Sequence, residues 1–232
     1  MKRVMALVGL SVIVALSASI IAEAQSKKKG KEPELSISKR GNLLLEDDFS
    51  DKELLWTFDS NRCNWKVVNK TLATKSTGAS DKVYVSRSFQ PTEDIIVEMK
   101  MFLPIQSRGL IGASAFGDRG VQAHVIPSKK TFEIWNFIFQ TCNDSVAVGP
   151  LSYQKPRWVQ AAYEMIAGRY ALTVDGKTIQ WEQVPYEKGK RGVIKVFVWQ
   201  SVEELAAIDD VKVYEALPKD EGNDKDDKGN KK

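Results

Sequence analysis

Apolar and polar residues alternate in short runs along most of this chain. "KVYVSRSF" (82–89) alternates, and "DIIVEMKMFLP" (94–104) follows Pro91 and stops at Pro104. "GLIGASAFG" (109–117), "VQAHVIP" (121–127), "TFEIWNFIF" (131–139), "GVIKVFVWQ" (192–200) and "AIDDVKVYEA" (207–216) continue the series. Between them, "RWVQAAYEMIAGRYALTVDGKTI" (157–179) reads as strand, turn, strand, turn, strand, with turns at Ala167-Gly168 and Asp175-Gly176. "SVEELAA" (201–207) has room for one helical turn, and no segment carries a longer helical period. Many short strands separated by Gly, Asp and Pro predict an all-β fold of two antiparallel sheets.

A strand's period of two sorts its side chains onto faces. Val159, Ala161, Tyr163 and Met165 share one face, matched by Tyr170, Leu172 and Val174 and then by Ile179 and Trp181. Gln160, Glu164, Thr173, Gln180 and Glu182 take the other face, so this meander is expected to cover a core on one side only. In "GVIKVFVWQ" the β-branched Ile194, Val196 and Val198 form the better core face, which turns Lys195, Phe197 and Trp199 outward. The same reasoning puts His124 with Gln122, Glu133 with Trp135, and Glu98 with Lys100 on polar faces. If these strands share one sheet, its outer face holds Glu98, Lys100, His124, Glu133, Trp135, Lys195 and Trp199.

The ends of the chain read differently. Lys2-Arg3, an apolar run over 4–21 and Ala22-Glu23-Ala24 make an export signal over 1–24, with an uncleaved anchor as the alternative. Residues 25–42 are basic and poor in aromatics, as in a flexible linker, and 217–232 form a charged tail without large apolar residues after Leu217. The domain is therefore expected at 43–216. Of the formal +4 charge, the signal carries +1, the linker +4 and the tail none, which leaves the domain at −1. A nucleic-acid binder carries its basic residues as a patch on the folded surface, and this chain carries them at its ends. Export to the periplasm or beyond implies no stable membrane insertion once the signal is removed.

Beyond the pattern of faces, several stretches resemble the concanavalin A-like lectin/glucanase superfamily. They are "LLLEDDFS" (43–50), "NWKVVNKTLATKS" (64–76), "WVQAAYE" (158–164) leading to "LTVDGK" (172–177), and "IDDVKVYEA" (208–216). Within that group they are most similar to the bacterial 3-keto-disaccharide hydrolase type, whose meander is shared with laminin-G-like modules. The resemblance implies a jelly-roll sandwich with a concave sheet on which glycans bind and, in some members, are hydrolysed.

Three readings of function follow. The first is glycan binding, with Trp135 and Trp199 as stacking platforms and His124, Lys195, Lys100 and the two glutamates as hydroxyl contacts. The second is hydrolysis of a glycoside or keto-glycoside by Glu98 and Glu133. The Glu-x-Asp-x-x-Glu strand of the superfamily's glucanases is missing, so that pair would have to converge across strands. The third is a non-catalytic envelope or adhesion module. His124 is the single histidine, which removes multi-histidine metal sites, and no Gly-x-Ser-x-Gly elbow accompanies it. No cofactor is expected; relatives in the superfamily bind calcium, but no acidic loop here names ligands. Cys63 and Cys142 are the disulfide candidates in an oxidising compartment. "NKT" (69–71) and "NDS" (143–145) match the glycosylation acceptor pattern.

Overall fold

A computed structural model of the chain describes residues 32–50, 56–58, 65–75, 82–88, 94–114, 121–136, 145–182, 193–200 and 205–219. For 57–58, 75, 82–88, 112–114 and 193–200 it describes the backbone alone. The strands are β1 (Ser38–Asp47), β2 (Thr57–Phe58), β3 (Lys66–Val68), β4 (Thr71–Lys75), β5 (Lys82–Ser88), β6 (Ile95–Leu103), β7 (Ser107–Ser114) and β8 (Val121–Ile126). They continue with β9 (Thr131–Asn136), β10 (Ser145–Pro150), β11 (Arg157–Ile166), β12 (Arg169–Val174), β13 (Lys177–Glu182), β14 (Val193–Gln200) and β15 (Leu205–Pro218). One 3-10 turn, Pro127–Lys129, joins β8 to β9.

These strands make two antiparallel sheets. One has eight strands, in the order β13-β12-β11-β6-β15-β4-β3, with β1 paired to β15. The other has seven, in the order β10-β9-β8-β7-β14-β5-β2. The predicted turns are present: Ala167-Gly168 and Asp175-Gly176 have positive φ at both residues, the backbone that a two-residue hairpin turn demands. Asn69-Lys70 makes a third such turn, so "NKT" is the corner between β3 and β4.

The core lies between the sheets, where the period-2 reading put it. Val97, Met99 and Met101 of β6, Val159, Ala161, Tyr163 and Met165 of β11, and Tyr170, Leu172 and Val174 of β12 face Ile111, Val121, Ala123, Val125, Phe132 and Ile134 of the opposite sheet. Tyr163 crosses the interface and donates its hydroxyl to the Val121 carbonyl at 2.9 Å. Gly149 is required where β10 passes over this core. A Cβ there would lie 2.5 Å from Phe132 Cζ and 2.8 Å from Ile179 Cγ2.

The other face of the meander departs from expectation. Glu164 and Thr173 are buried on it, and residues 36–38 lie over β11 at Glu164. Both Glu164 carboxylate oxygens are occupied. Oε1 accepts the Ser36 amide at 2.7 Å and its hydroxyl at 3.0 Å. Oε2 accepts the Ile37 and Ser38 amides at 2.9 Å and the Ser38 hydroxyl at 2.8 Å. Leu35 and Ile37 pack on Ile96, Ala162, Ile166, Ala171 and Ala216 in a second apolar cluster. Ordered structure therefore begins inside the segment read as a linker, and β1 starts five residues before the expected boundary at Leu43. The basic composition of 25–42 concealed two apolar residues, spaced for one face of an extended chain.

Candidate functional site

The seven-stranded sheet carries polar and aromatic side chains on the face turned away from the core. Val121, Ala123 and Val125 of β8 and Phe132 and Ile134 of β9 point inward, so Gln122, His124, Thr131, Glu133 and Trp135 take the opposite face. Register places Leu110 of β7, His124 of β8, Glu133 of β9 and Val148 of β10 in one row across four strands. Gln122 and Trp135 form the next row. Antiparallel neighbours in such a row have side chains within reach of one another.

The row is sunken at its centre and open at its margin. His124 is 2 % exposed and Glu133 4 %, while Val148 on the edge strand is 54 % exposed. The Trp135 indole packs against this centre. It stacks on the His124 ring, with centroids 5.2 Å apart and planes 13° from parallel. Its Nε1–H donates to Glu133 Oε2 at 2.7 Å, and the Thr131 hydroxyl donates to Glu133 Oε1 at 2.7 Å. Arg108 reaches across from β7 and sets its guanidinium carbon 4.5 Å from the indole centroid. Lys129, on the turn after β8, brings its Nζ to 6.0 Å from the same ring. Cations over an indole face are attracted by its quadrupole.

These neighbours fix the charge states. Burial holds the His124 imidazole well below its ordinary value, and the positive charges of Arg108 and Lys129 press the same way. The ring is therefore neutral at neutral pH. His124 Nε2 lies 3.1 Å from Gln122 Oε1. An amide oxygen only accepts, so Nε2 carries the proton.

The sequence-derived candidates divide between the two sheets. His124, Glu133 and Trp135 meet as described. Lys195 and Trp199 lie on β14 in register with Gly112 and Arg108, so their backbone positions belong to the same sheet; their side chains lie outside the described residues. Glu98 and Lys100 do not belong to this face. They sit on β6, in the eight-stranded sheet, between β11 and β15. Glu98 is buried there against Arg40, with 2.7 Å to Nε and 2.6 Å to Nη2. Its burial raises the carboxyl above the ordinary carboxylate range, and the Arg40 charge opposes that shift. Lys100 is paired with Asp210.

Glu98 and Glu133 thus point outward from opposite sheets. Packed sheets lie ~10 Å apart, so the two carboxyls are separated by more than the ~5–9.5 Å that glycoside hydrolysis uses. Alternation assigned each residue its face correctly, but it carries no information on which sheet a strand joins. Cys63, Cys142, Asn143 and Asp144 lie outside the described residues, as does the segment 1–24 read as an export signal. Among the described residues no group of three or more His, Cys, Asp or Glu is arranged to hold a metal.

Arg108 and Lys129 are the members of the site that the sequence pattern passed over. The strand was expected to begin at Gly109, whereas β7 begins at Ser107. Extending the alternation from Leu110 back by two would have put Arg108 on the outer face. Lys129 sits on a turn, where alternation says nothing.

No protein-family model matches the sequence, and no curated protein matches it. The fold does have solved counterparts, and they define its class as a galectin- and concanavalin-like β-sandwich. A protein of unknown function with a galectin-like fold from Bacillus subtilis superposes with a TM-score of 0.61 at 14% identity, over 78% of this chain and 100% of that one. The carbohydrate-binding module CBM66 from Bacillus subtilis gives 0.53 at 14% identity, over 72% and 99% of the two chains. The exoplasmic/lumenal domain of VIP36, in a Ca2+/Man3GlcNAc-bound form, gives 0.55 at 10% identity, over 71% and 85%. At these identities the likeness is one of architecture.

Proposed function

We propose that this chain is an exported glycan-binding module whose ligand lies on the outer face of the seven-stranded sheet around Trp135. The observation that carries the reading is the assembly of Arg108, Gln122, His124, Glu133 and Trp135 on a face the core does not use. An indole supplies the flat apolar surface that sugar C–H faces require, and charged and amide groups beside it supply partners for hydroxyls. Two of the structural counterparts, a carbohydrate-binding module and a domain with a bound mannose-containing glycan, support that reading of the fold.

Burial assigns the residues different parts. His124 and Glu133 are too deeply set to meet a ligand, and they hold the indole by its face and its Nε1–H. Contact falls to the partly exposed Trp135 and Arg108, to Lys129, and to Val148 at the margin. Lys195 and Trp199 hold backbone positions on β14 of the same sheet, in register with Gly112 and Arg108. Binding is favoured over hydrolysis because Glu133 has no second described carboxylate beside it on this sheet face. The kinship with 3-keto-disaccharide hydrolase-type domains is proposed as one of fold.

A glycan array probed with the intact chain and with Trp135→Ala tests the reading. Binding that the substitution abolishes is expected. An intact chain that binds no glycan would leave the envelope-module reading in its place.

A further inference from the structure

Among the described residues, Arg108 is a partly buried cation for which the fold provides no acceptor. Arg40 is paired with Glu98 and Arg157 with Asp175, each at 2.6 Å. Among the described residues Arg108 meets no salt-bridge or hydrogen-bond partner, and its Nε is fully buried without one. Glu133 is near enough for its charge to act on the guanidinium, yet both Glu133 oxygens are taken by Thr131 and Trp135. Desolvating a charged donor is costly unless an acceptor replaces water. A cation over an indole gains less than the guanidinium would gain from a paired anion of good geometry.

The surroundings favour an anion as that partner. Lys129 adds a second positive charge above the same indole. Gln122 is neutral, and so is His124 at neutral pH. Glu133 is the one described carboxylate on this part of the face, and it is buried beneath Trp135 with both oxygens occupied. Two cations against one sunken carboxylate leave the exposed level of the site positive, while residues 43–216 as a whole carry a formal charge of −1.

We propose that the saccharide taken by this face carries an acidic group, a carboxylate or a sulfate, and that Arg108 receives it. The proposal rests on the glycan-binding reading above. A planar guanidinium matches two oxygens of either anion, which an ammonium cannot do.

Calorimetric titration of the intact chain with four probes tests this: oligogalacturonate, its methyl ester, a neutral galacto-oligosaccharide and sulfated dextran. An acidic probe is expected to bind at least about 10-fold more tightly than the ester and the neutral sugar, with the preference shrinking as salt rises. Oligogalacturonate ahead of sulfated dextran would identify a carboxylate, and the reverse order a sulfate. Arg108→Gln should cost the acidic probe about 10- to 100-fold in affinity, and Arg108→Lys should restore only part of it. Equal affinity for acidic and neutral probes overturns the inference and leaves glycan binding standing. Binding to none of the probes, together with a blank glycan array, overturns both. The ester comparison and the salt series use the unaltered chain, so they decide the matter even if the Arg108 variants fold poorly.

Discussion

Replacing Glu164 with alanine should release residues 35–38 from the sheet while leaving the sandwich folded. In the intact protein one fully buried carboxylate receives five donors, three of them backbone amides. Burial of Leu35 and Ile37 contributes about 2 kcal/mol each, or roughly 4 kcal/mol together. Ordering the four residues 35–38 costs about 1 kcal/mol each or a little more, which offsets that gain. The balance is held by Glu164, whose charge-assisted hydrogen bonds contribute about 1.5–3 kcal/mol each before the cost of burying the charge. Without it, three amides left in place would each cost about 1–3 kcal/mol, so detachment into water is the cheaper course. Hydrogen exchange is the assay. Amide protection at Ser36, Ile37 and Ser38 should fall about 100-fold or more in Glu164→Ala, while the core amides of β11 and β12 change far less. Glu164→Gln keeps one acceptor oxygen and should give an intermediate loss. Unchanged protection at Ser36–Ser38 in Glu164→Ala would show that apolar packing alone holds the segment.

Three further outcomes follow from the same structure. Burial and the neighbouring Asp210 push Asp209 up to about 6, so its contribution to stability is present below pH ~4 and is lost as pH rises through about 6. Asp209→Asn keeps the acceptor for the Asp210 amide, and after discounting for solvent screening it should stabilise the chain by on the order of 1 kcal/mol at pH 7 and not at pH 4. His124 is the chain's only histidine, so its ring protons can be followed by NMR without ambiguity. They should remain those of neutral imidazole at pH 5.5; because the folded value is depressed, stability should also fall as pH drops below the unfolded value of ~6.5. A half-protonated ring near pH 6.5 would mean that His124 is not enclosed by Trp135. Gly149→Ala forces a methyl group into Phe132 and Ile179 and should cost about 1–3 kcal/mol in denaturant unfolding.

The faces and turns of this fold were legible because they depend on local chemistry. Positive φ at Ala167-Gly168 and Asp175-Gly176 follows from two adjacent residues, and the inward set of β11 and β12 from a period of two. What escaped detection depends on distant partners. The donors of Ser36 and Ser38 find their acceptor more than a hundred positions away, so "ELSISKR" reads locally as solvated linker. Glu98 and Glu133 both read as outward acids on alternating strands. Only the pairing of β6 with β11 and β15 shows that the sandwich separates them. Trp135 was legible as an outward aromatic, but its stacking on His124 and the reach of Arg108 arise from side chains on three strands.

The central claim is that the Trp135 face is where a glycan binds. Chemical-shift mapping of the isotopically labelled chain against a panel of acidic and neutral oligosaccharides tests it directly. Saturable shifts at the Trp135 indole N–H, the Arg108 side chain and the Val148 methyls are the predicted result. Shifts confined to the eight-stranded sheet, or none with any saccharide, would contradict it.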